Sequence, residues 1–441
     1  GFLLYLIFGA NTRKHRWENA KARIVAYLNH ADMREILDSA EALPVADDPA
    51  DSRLFDLADQ NTIRLVLNSG VSPLTVRNKV DIYTDGVAKF AQMLEDIKNA
   101  REHIHLEYYI IRKSSVADEL RAALISKAKE GVKVRIIYDD WGSWKLKKDP
   151  EFILSLKKAG CEVYTTIKPR FPFGIRDFNY RDHRKICVID GKIGYVGGIN
   201  IADEYIHKGK LGYWRDTHLR IQGAAVYMLQ MIFAIGWMLR TDEMLLGRGY
   251  FPTDVENTGE SMIQIAASGA DTPQETIYQA YFYAIAQAKK TVYIETPYFI
   301  PDESILTALK AAAMAGVDVR IIFPQKSDHA TVHEASLSYL EELMRLGAKV
   351  YFYQKGFIHS KMLLVDNETA SVGTANMDIR SFMLNSEINA FIYDKETVDR
   401  LYRVFTDDLT DCRQAKKAEV AQKFLPQRIW RSVCRLFSPV L

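Results

Sequence analysis

Two stretches of the chain carry the same set of residues that could act on a phosphate ester. Both fit the pattern H-x-K-x4-D-x6-G-[GT]-x-N, with His183, Lys185, Asp190 and Asn200 in the first copy and His359, Lys361, Asp366 and Asn376 in the second. On a β-strand, residues two apart share a face, so each histidine and its lysine are expected to point into one cleft. A single H-x-K would indicate only a solvated strand face, whereas two complete copies indicate a phosphate-binding site.

The residue types predict a two-step transfer at phosphorus. A phosphodiester is a poor electrophile because it is negatively charged, and lysine and asparagine side chains can hold its nonbridging oxygens as charge grows. We expect Lys185, Lys361, Asn200 and Asn376 to do this. One imidazole would attack phosphorus and form a covalent intermediate, while the other would protonate the departing oxygen. The pKa values of the two histidines must then be pushed apart by their surroundings.

Four carboxylates are candidates for supporting the two histidines. Asp216 and Glu387 occupy roughly matching places after the two motifs, and we expect them to orient the second nitrogen of each imidazole. Asp190 and Asp366 lie seven residues after their histidines, which puts them on the opposite strand face unless a turn intervenes. From that offset we expect a supporting, ion-pairing role rather than direct contact.

The motifs lie in a duplicated module. Residues 131–137 read GVKVRII and recur at 316–322 as GVDVRII, in each case after a helical pattern. Three further positions repeat, as Leu106, Glu107 and Tyr109 in the first module and Ile294, Glu295 and Tyr298 in the second. A period of roughly 180 residues is far too long for a solenoid. The sequence therefore predicts two homologous α/β halves that face each other across a pseudo-two-fold axis.

Between residues 80 and 166, apolar strands alternate with amphipathic helices, which is typical of a sheet covered by helices on both faces. This pattern predicts a helix over 87–99 and a strand over 103–111. We predict four parts of the chain: an N-terminal connector over 1–75, a first half over 76–250, a second half over 251–410 and a tail over 411–441. The boundary between the halves is placed at a cluster of glycine and proline between residues 245 and 260. The apolar stretch 223–239, interrupted by Gln230, suits a buried helix better than a membrane span.

The composition is that of a folded protein without a strong global charge. With 441 residues, two core-forming units are the natural expectation, and hydrophobic residues at 48% argue against disorder. A net charge of +2 disfavours a dedicated nucleic-acid partner. The four cysteines are scattered without the spacing of a zinc site, so we expect a reducing compartment and no metal or other cofactor.

Three segments are candidates for contact with a membrane. The apolar residues 1–9, followed by basic residues 13–16, are expected to be the end of a membrane span with its basic flank on the cytoplasmic face; an apolar arm packed on the protein is the alternative. The loop 168–176 mixes aromatic and cationic residues, as a membrane-dipping lip or a surface loop would. The tail 424–437 has bulky apolar residues and arginines at helical spacing, which favours an interfacial helix over one docked on the protein.

The two motif stretches resemble the paired HKD motifs of the phospholipase D superfamily, and the resemblance covers most of residues 80–409. Further stretches are similar to bacterial cardiolipin synthases, at residues 178–185, 195–200, 213–217, 295–301 and 381–387. The resemblance implies the phospholipase D fold and an enzyme of the bacterial inner membrane, with an N-terminal membrane-associated segment and its catalytic part on the cytoplasmic side. It also counts Asp190 and Asp366 among the active-site residues.

The reaction that this resemblance implies moves a phosphatidyl group from one phosphatidylglycerol to the free hydroxyl of another, through a phosphatidyl-histidine. It favours His183 as the nucleophile and His359 as the acid and then the base. It implies phospholipid and anionic-membrane partners and leaves the oligomeric state open, a homodimer included. The alternatives are a phospholipase D that gives the intermediate to water, a phosphodiesterase acting on nucleic acid, and an inactive lipid-binding scaffold, which would be expected to have lost a motif residue.

Overall fold

The computed structural model describes residues 22–31, 60–70, 72–166, 179–252, 259–269, 274–420 and 425–436. The strands of the first half are β1 (Thr75–Tyr83), β2 (His103–Tyr108), β3 (Lys133–Tyr138), β4 (Glu162–Thr165), β5 (Lys185–Ile189), β6 (Ile193–Gly197), β7 (Tyr213–Arg215) and β8 (His218–Gln222). Those that follow are β9 (Ser261–Ser268), β10 (Thr291–Glu295), β11 (Phe299–Ile300), β12 (Asp318–Pro324), β13 (Lys349–Tyr353), β14 (Gly356–Ile358), β15 (Met362–Val365), β16 (Thr369–Gly373), β17 (Met377–Asp378), β18 (Glu387–Ile392) and β19 (Cys412–Gln414).

Helices connect these strands. They are α1 (Gln60–Gly70), α2 (Gly86–Asn99), α3 (Ser115–Lys129), α4 (Pro150–Lys158), α5 (Ala225–Thr241), α6 (Thr276–Gln287), α7 (Glu303–Met314), α8 (Ala330–Arg345), α9 (Ile379–Met383), α10 (Lys395–Thr410), α11 (Lys417–Val420) and α12 (Leu425–Leu436). Two 3-10 helices lie at Trp144–Lys148 and Asp203–Ile206, and residues 22–28 are also helical.

The main sheet repeats one strand order in both halves. Within the described residues it runs β19-β13-β12-β10-β15-β16-β18-β9-β1-β8-β6-β5-β2-β3-β4. The series β4-β3-β2-β5-β6-β8-β1 of the first half matches β13-β12-β10-β15-β16-β18-β9 of the second, with the same parallel and antiparallel pairings. The two series join where β1 pairs antiparallel with β9. The predicted α/β fold of two homologous halves is confirmed.

Helices α5 and α10 fill the space between the halves. Phe233 and Trp237 of α5 share one buried apolar core with Val196 of β6 and Ile388 of β18. Strand β6 also contacts β16 and β18, although the strand order separates them, so the sheet folds back and brings the halves face to face. The outer faces are covered by α2, α3 and α4 in the first half and by α6, α7 and α8 in the second.

The apolar stretch 223–239 forms α5, which is buried along almost its whole length, so the prediction of a core helix is confirmed. In the part of the chain that the structure describes, no helix is long and apolar enough to cross a membrane. The N-terminal segment 1–21 and the loop 168–176 lie outside the described residues, as do residues 253–258 near the boundary between the halves. The four-part division of the chain therefore stays a prediction.

The C-terminal helix α12 packs on the protein, against α8. The buried guanidinium of Arg431 donates to Oε2 of Glu334 (2.9 Å) and to the backbone oxygen of Val420 (2.7 Å). The opposite side of the helix leaves Ile429 and Trp430 exposed. The helix is therefore docked on the protein, which was the alternative to a free interfacial helix, because Arg431 has buried partners. Exposed apolar side chains remain on its outer face.

Candidate active site

The two motif histidines lie just outside the strands that carry the rest of each motif. His183 precedes β5, and His359 lies between β14 and β15. The backbone N–H of His183 donates to the oxygen of Ser386 (2.9 Å), and that of His359 donates to the oxygen of Arg215 (2.7 Å), in each case across to the other half. These two hydrogen bonds fix both histidines relative to the opposite half of the molecule.

Each histidine takes its carboxylate partner from the other half. Nδ1 of His183 lies 2.9 Å from both oxygens of Glu387, and Nδ1 of His359 lies 2.7 Å from Oδ2 of Asp216. These carboxylates directly follow the residues whose carbonyls accept from the histidine N–H groups, so the backbone register presets the side-chain pairs. Each carboxylate therefore lies where the predicted orientation of a motif histidine requires it. With Nδ1 engaged, Nε2 is the ring nitrogen left for substrate.

The residues behind the two carboxylates differ between the halves. A Cβ atom on Gly198 would lie 2.0 Å from Oδ1 of Asp216, so this position must be glycine if Asp216 is to come close. The matching Thr374 instead donates its hydroxyl to Oε2 of Glu387 (2.5 Å). The same motif position thus supports the carboxylate in both halves. Gly198 leaves room for Asp216, whereas Thr374 donates a hydrogen bond to Glu387.

Both motif lysines are buried beneath the histidines, and neither lines the cavity to which the two imidazoles are open, so the structure does not show the expected orientation of each lysine into that cleft. Nζ of Lys185 donates to the backbone oxygen of His183 (2.6 Å). Nζ of Lys361 donates to the backbone oxygen of His359 and lies 2.9 Å from its Nδ1. Burial lowers the pKa of Lys185 to about 7 and that of Lys361 to about 8, although nearby carboxylates act in the opposite direction. A bound phosphodiester would raise both pKa values and keep both amines charged, because an anion favours the protonated amine.

The motif asparagines differ in how they are engaged. The side chain of Asn200 accepts from the N–H of Ile110 (3.1 Å) and donates to the hydroxyl of Tyr205 (2.5 Å). Oδ1 of Asn376 is buried and accepts no hydrogen bond from any residue that the structure describes. Both side chains line the cavity above the histidines. Rotation of the Asn376 amide by half a turn places its NH2 group where Oδ1 now lies, and there it can donate to a phosphate oxygen.

Asp190 and Asp366 lie at tight turns and do not line the cavity. The carboxylate of Asp190 accepts from the backbone N–H groups of Arg101, Glu102 and His103 at 2.8 to 2.9 Å. That of Asp366 accepts from those of Lys289, Lys290 and Thr291 at 2.6 to 2.8 Å. Each carboxylate thus supports the fold away from the histidines, and its hydrogen-bond partners in the described residues are backbone donors at the starts of β2 and β10 instead of the cations of the expected ion pairs. Each aspartate fixes the turn after its motif strand, where its φ is positive.

Burial sets the protonation of the two histidines. It lowers the pKa of His183 to about 4, against an opposing effect of Glu387. Burial and the neighbouring Lys361 lower the pKa of His359 well below its usual value. The surroundings therefore move both pKa values in the same direction and do not push them apart. A bound anion is needed to protonate one of the two imidazoles at neutral pH.

A cavity of about 1070 Å³ opens over both histidines. The ring of Tyr109 meets that of His183 edge-on, with centroids 4.8 Å apart, and the rings of Tyr205 and Trp214 lie 5.7 and 5.5 Å from that of His359. The motif pattern includes none of these three residues, although Tyr109 lies at one of the positions that the two halves repeat. Their rings place apolar surface beside both imidazoles.

Arg215, which the motif pattern does not include, ties the two halves together beside the second histidine. Its guanidinium pairs with Asp408 of α10 at 2.5 and 2.9 Å and donates to the hydroxyl of Thr217 (2.8 Å). That hydroxyl also lies 2.8 Å from the hydroxyl of Ser360, the residue between His359 and Lys361 in the sequence.

Among the described residues, His, Cys, Asp and Glu side chains form no group of three that could hold a metal ion.

The fold and the paired histidine–lysine motifs define a phosphoryl-transfer protein of the phospholipase D type. A solved structure with this fold is the phosphatidylserine synthase of Haemophilus influenzae Rd KW20, with a TM-score of 0.65 and 16% identity over 86% of this chain and 100% of that one. At that identity the likeness shows the fold alone.

Sequence comparison gives the family. The family model described as "Cardiolipin synthase, PLD-like domain" matches residues 93–209 and 281–409. The cardiolipin synthase of Geobacillus sp. (strain WCH70) is 43% identical over 100% of this chain and 86% of its own length. For the major cardiolipin synthase ClsA of Bacillus subtilis (strain 168), the identity is 44% over 100% of this chain and 90% of the relative. The chain belongs to the cardiolipin synthase family of phospholipase D-like proteins, and the resemblance stated from its motifs is confirmed.

Proposed function

We propose that this chain transfers a phosphatidyl group from one phosphatidylglycerol to another, giving cardiolipin and glycerol. The observation that carries the proposal is the pair of buried histidines at one cavity, each oriented by a carboxylate of the other half. Family membership supports the choice of substrate, because the curated relatives are named cardiolipin synthases.

In the first step, Nε2 of His183 attacks the phosphorus of a bound phosphatidylglycerol, and the bond from phosphorus to the oxygen of the glycerol headgroup breaks. His359 gives its proton to that oxygen, so glycerol leaves as a neutral alcohol. Glu387 stabilises the positive charge that develops on the attacking imidazole. The step ends with a phosphatidyl-histidine and a neutral His359.

In the second step, a headgroup hydroxyl of a second phosphatidylglycerol gives its proton to His359 and attacks phosphorus. The bond between phosphorus and Nε2 of His183 breaks, cardiolipin leaves, and His359 is protonated again. Two in-line displacements give net retention of configuration at phosphorus. The two halves are too alike to rank the histidines by geometry, so the choice of His183 as nucleophile rests on the resemblance.

The substrate itself supplies the negative charge that favours protonation of His359. Burial and the lysine ammonium groups keep His359 neutral before binding. A phosphodiester anion opposes both effects, because it pairs with Lys185 and Lys361 and favours a protonated imidazole. His359 therefore becomes a protonated acid only when a phosphate occupies the cavity. Asn376 adds a hydrogen-bond donor to the nonbridging oxygens of that phosphate.

We place this activity at the bacterial inner membrane, with the catalytic halves on the cytoplasmic side. The lipid nature of the substrate supports the placement at a membrane. The basic residues 13–16 that follow the apolar residues 1–9 support the cytoplasmic side.

Product analysis with labelled phosphatidylglycerol in mixed micelles tests the proposal. We expect cardiolipin and free glycerol in equal amounts, at the same rate with and without a chelator, because lysine and asparagine side chains supply the charge and donors to phosphate. Phosphatidic acid as the main product would identify a hydrolase that passes the intermediate to water. Activity lost to the chelator and restored by a divalent ion would contradict the metal-free mechanism.

A further inference from the structure

Two tryptophans stand exposed at the mouth of the catalytic cavity. Trp141 and Trp144 line the cavity, yet they are 52% and 45% exposed. Trp214 and Trp237, by contrast, are buried. Large aromatic side chains left in solvent at one place usually mark an interaction surface. We call residues 141–148, which hold both exposed rings, the tryptophan rim.

The exposure of the tryptophan rim does not come from a loosely held loop. Oδ1 of Asp139 accepts from the N–H groups of Trp141 (3.0 Å) and Gly142 (2.8 Å). Its Oδ2 accepts from the hydroxyl of Thr166 (3.0 Å) and the N–H of Asp182 (3.1 Å), next to the first motif histidine. One buried carboxylate therefore fixes the rim to the framework of the active site.

The rim is also tied to Tyr109, whose ring contacts His183. The hydroxyl of Ser143 donates to the backbone oxygen of Tyr109 (3.0 Å), and a Cβ on Gly142 would lie 2.4 Å from that oxygen. Leu146 anchors the 3-10 helix Trp144–Lys148 in the core. The exposed rings are thus held at a fixed position relative to the reacting atoms.

Cations surround the exposed rings. Lys145, Lys147 and Lys148 are exposed on the rim, and Nζ of Lys148 lies 5.0 Å from the centroid of the Trp144 ring. Lys147 pairs with Asp140 at 2.9 Å. Two more exposed lysines, Lys208 and Lys210, line the same cavity. The whole chain has a net charge of only +2, so this cluster places positive charge specifically at the cavity mouth.

We propose that the tryptophan rim docks the mouth of the cavity onto a bilayer that contains anionic phospholipid. Tryptophan prefers the headgroup region of a bilayer, and lysines beside it are attracted to anionic lipid. The inference rests on the proposed function in one respect: a lipid substrate must pass from a bilayer into this cavity. Docking at the rim lets a phosphate headgroup enter while its acyl chains stay in the membrane.

Quenching of tryptophan fluorescence by brominated lipid tests this in the full chain. The measurement compares the parent with the Trp141→Phe/Trp144→Phe variant, so that the difference signal reports these two rings alone. With vesicles of phosphatidylcholine and brominated phosphatidylglycerol, we expect quenching of the difference signal by roughly half or more. A difference signal that is unquenched, or equally quenched in vesicles of brominated phosphatidylcholine alone, would overturn the proposal.

Vesicle affinity provides a second measurement. Lys145→Gln/Lys148→Gln should bind phosphatidylglycerol vesicles about 25-fold more weakly at low salt, at about fivefold for each lost charge. The control is Met314→Ser/Phe282→Ser, which removes exposed apolar side chains that do not line the cavity and should bind like the parent. Equal affinity of the lysine variant and the parent would contradict docking at the rim.

These measurements separate the docking surface from the reaction. Quenching and affinity are read without turnover, so a parent that makes no cardiolipin but is quenched at the rim would refute the proposed function and keep the surface. A parent that makes cardiolipin while the rim stays unquenched would refute the surface and keep the function.

Discussion

At the residue scale, one motif position controls how an orienting carboxylate reaches its histidine. Gly198→Ala places a Cβ where Oδ1 of Asp216 now lies, so the carboxylate must move away from Nδ1 of His359. We expect kcat to fall about 100-fold, as for a weakened general acid. The control is Gly249→Ala, where the added Cβ meets nothing within 4 Å. Steady-state rates for the two folded variants check the prediction, and a parent-like rate for Gly198→Ala would contradict it.

The two histidines are expected to fail in different ways when replaced. His183→Asn removes the attacking nitrogen and should abolish any covalent phosphatidyl-enzyme. His359→Asn should slow the reaction by roughly 100-fold or more, but it should still become labelled by a substrate whose leaving group needs no proton. Rapid acid quench followed by mass spectrometry detects the adduct. An adduct on His359 would exchange the two roles, and inversion of configuration at phosphorus would rule out the two-step path.

The lowered lysine pKa values predict an unusual pH profile. Lys185 and Lys361, with pKa values of about 7 and 8, are charged below those values and neutral above them. Because kcat/KM reports the free enzyme, in which His359 has yet to gain the proton it donates, it should fall as pH rises, and more steeply above about 7 to 8, where the lysines lose their charge. It should show no acid limb near 6.5, because burial keeps His183 neutral down to about pH 4. Lys361→Arg, which stays charged, should move the basic limb upward; an unchanged limb would contradict this cause.

Sequence reasoning found the residues of the site but not all of their relations. The motif repeat located both histidines, and the matching positions of Asp216 and Glu387 identified the orienting carboxylates. That each carboxylate serves the histidine of the other half depends on the hydrogen bonds of Ser386 and Arg215, which arise only when the halves face each other. Local spacing carries no information on such pairings.

At the element scale, the βα rhythm was predictable because it follows from local patterns. A helix predicted over 87–99 is observed as Gly86–Asn99, and its first turn is capped by Asp85, which accepts from the N–H of Ala88 (3.1 Å). A strand predicted over 103–111 ends at Tyr108, because the N–H groups of Ile110 and Ile111 donate to the side chains of Asn200 (3.1 Å) and Ser143 (2.9 Å) instead of to a neighbouring strand. Contacts made by the site thus override local propensity at the strand end.

Helix α12 has two faces, and they are expected to serve different purposes. Replacing Ile429 and Trp430 with serine should weaken cosedimentation with anionic vesicles without changing stability, because both side chains are exposed. Phe437, the other apolar group of the predicted interfacial tail, lies outside the described residues. Arg431→Met, by contrast, breaks the buried pair with Glu334 and should make the tail more sensitive to protease. If the Ile429→Ser/Trp430→Ser variant bound vesicles as the parent does, the tail would not belong to the membrane-contacting surface.

At the scale of the whole molecule, both halves contribute to one active site within a single chain. A mixture of His183→Ala chains and His359→Ala chains should therefore remain inactive, even if the protein forms dimers. The crossed pairs link residues of the same chain in one continuous sheet. Refolding the two variants together and measuring cardiolipin formation checks this. Recovery of activity would show that sites can form between chains.

The crossed pairing also gives the enzyme a built-in order of assembly during synthesis. Asp216 precedes His359 along the chain, so the second histidine finds its partner already made. Glu387 follows His183 by 204 residues, and at roughly 5–20 residues per second a ribosome needs about 10 to 40 s to supply it. During that interval the imidazole of His183 in the emerging first half lacks its carboxylate partner. We therefore expect a partly translated chain to be inactive toward the lipids of the cell that is making it.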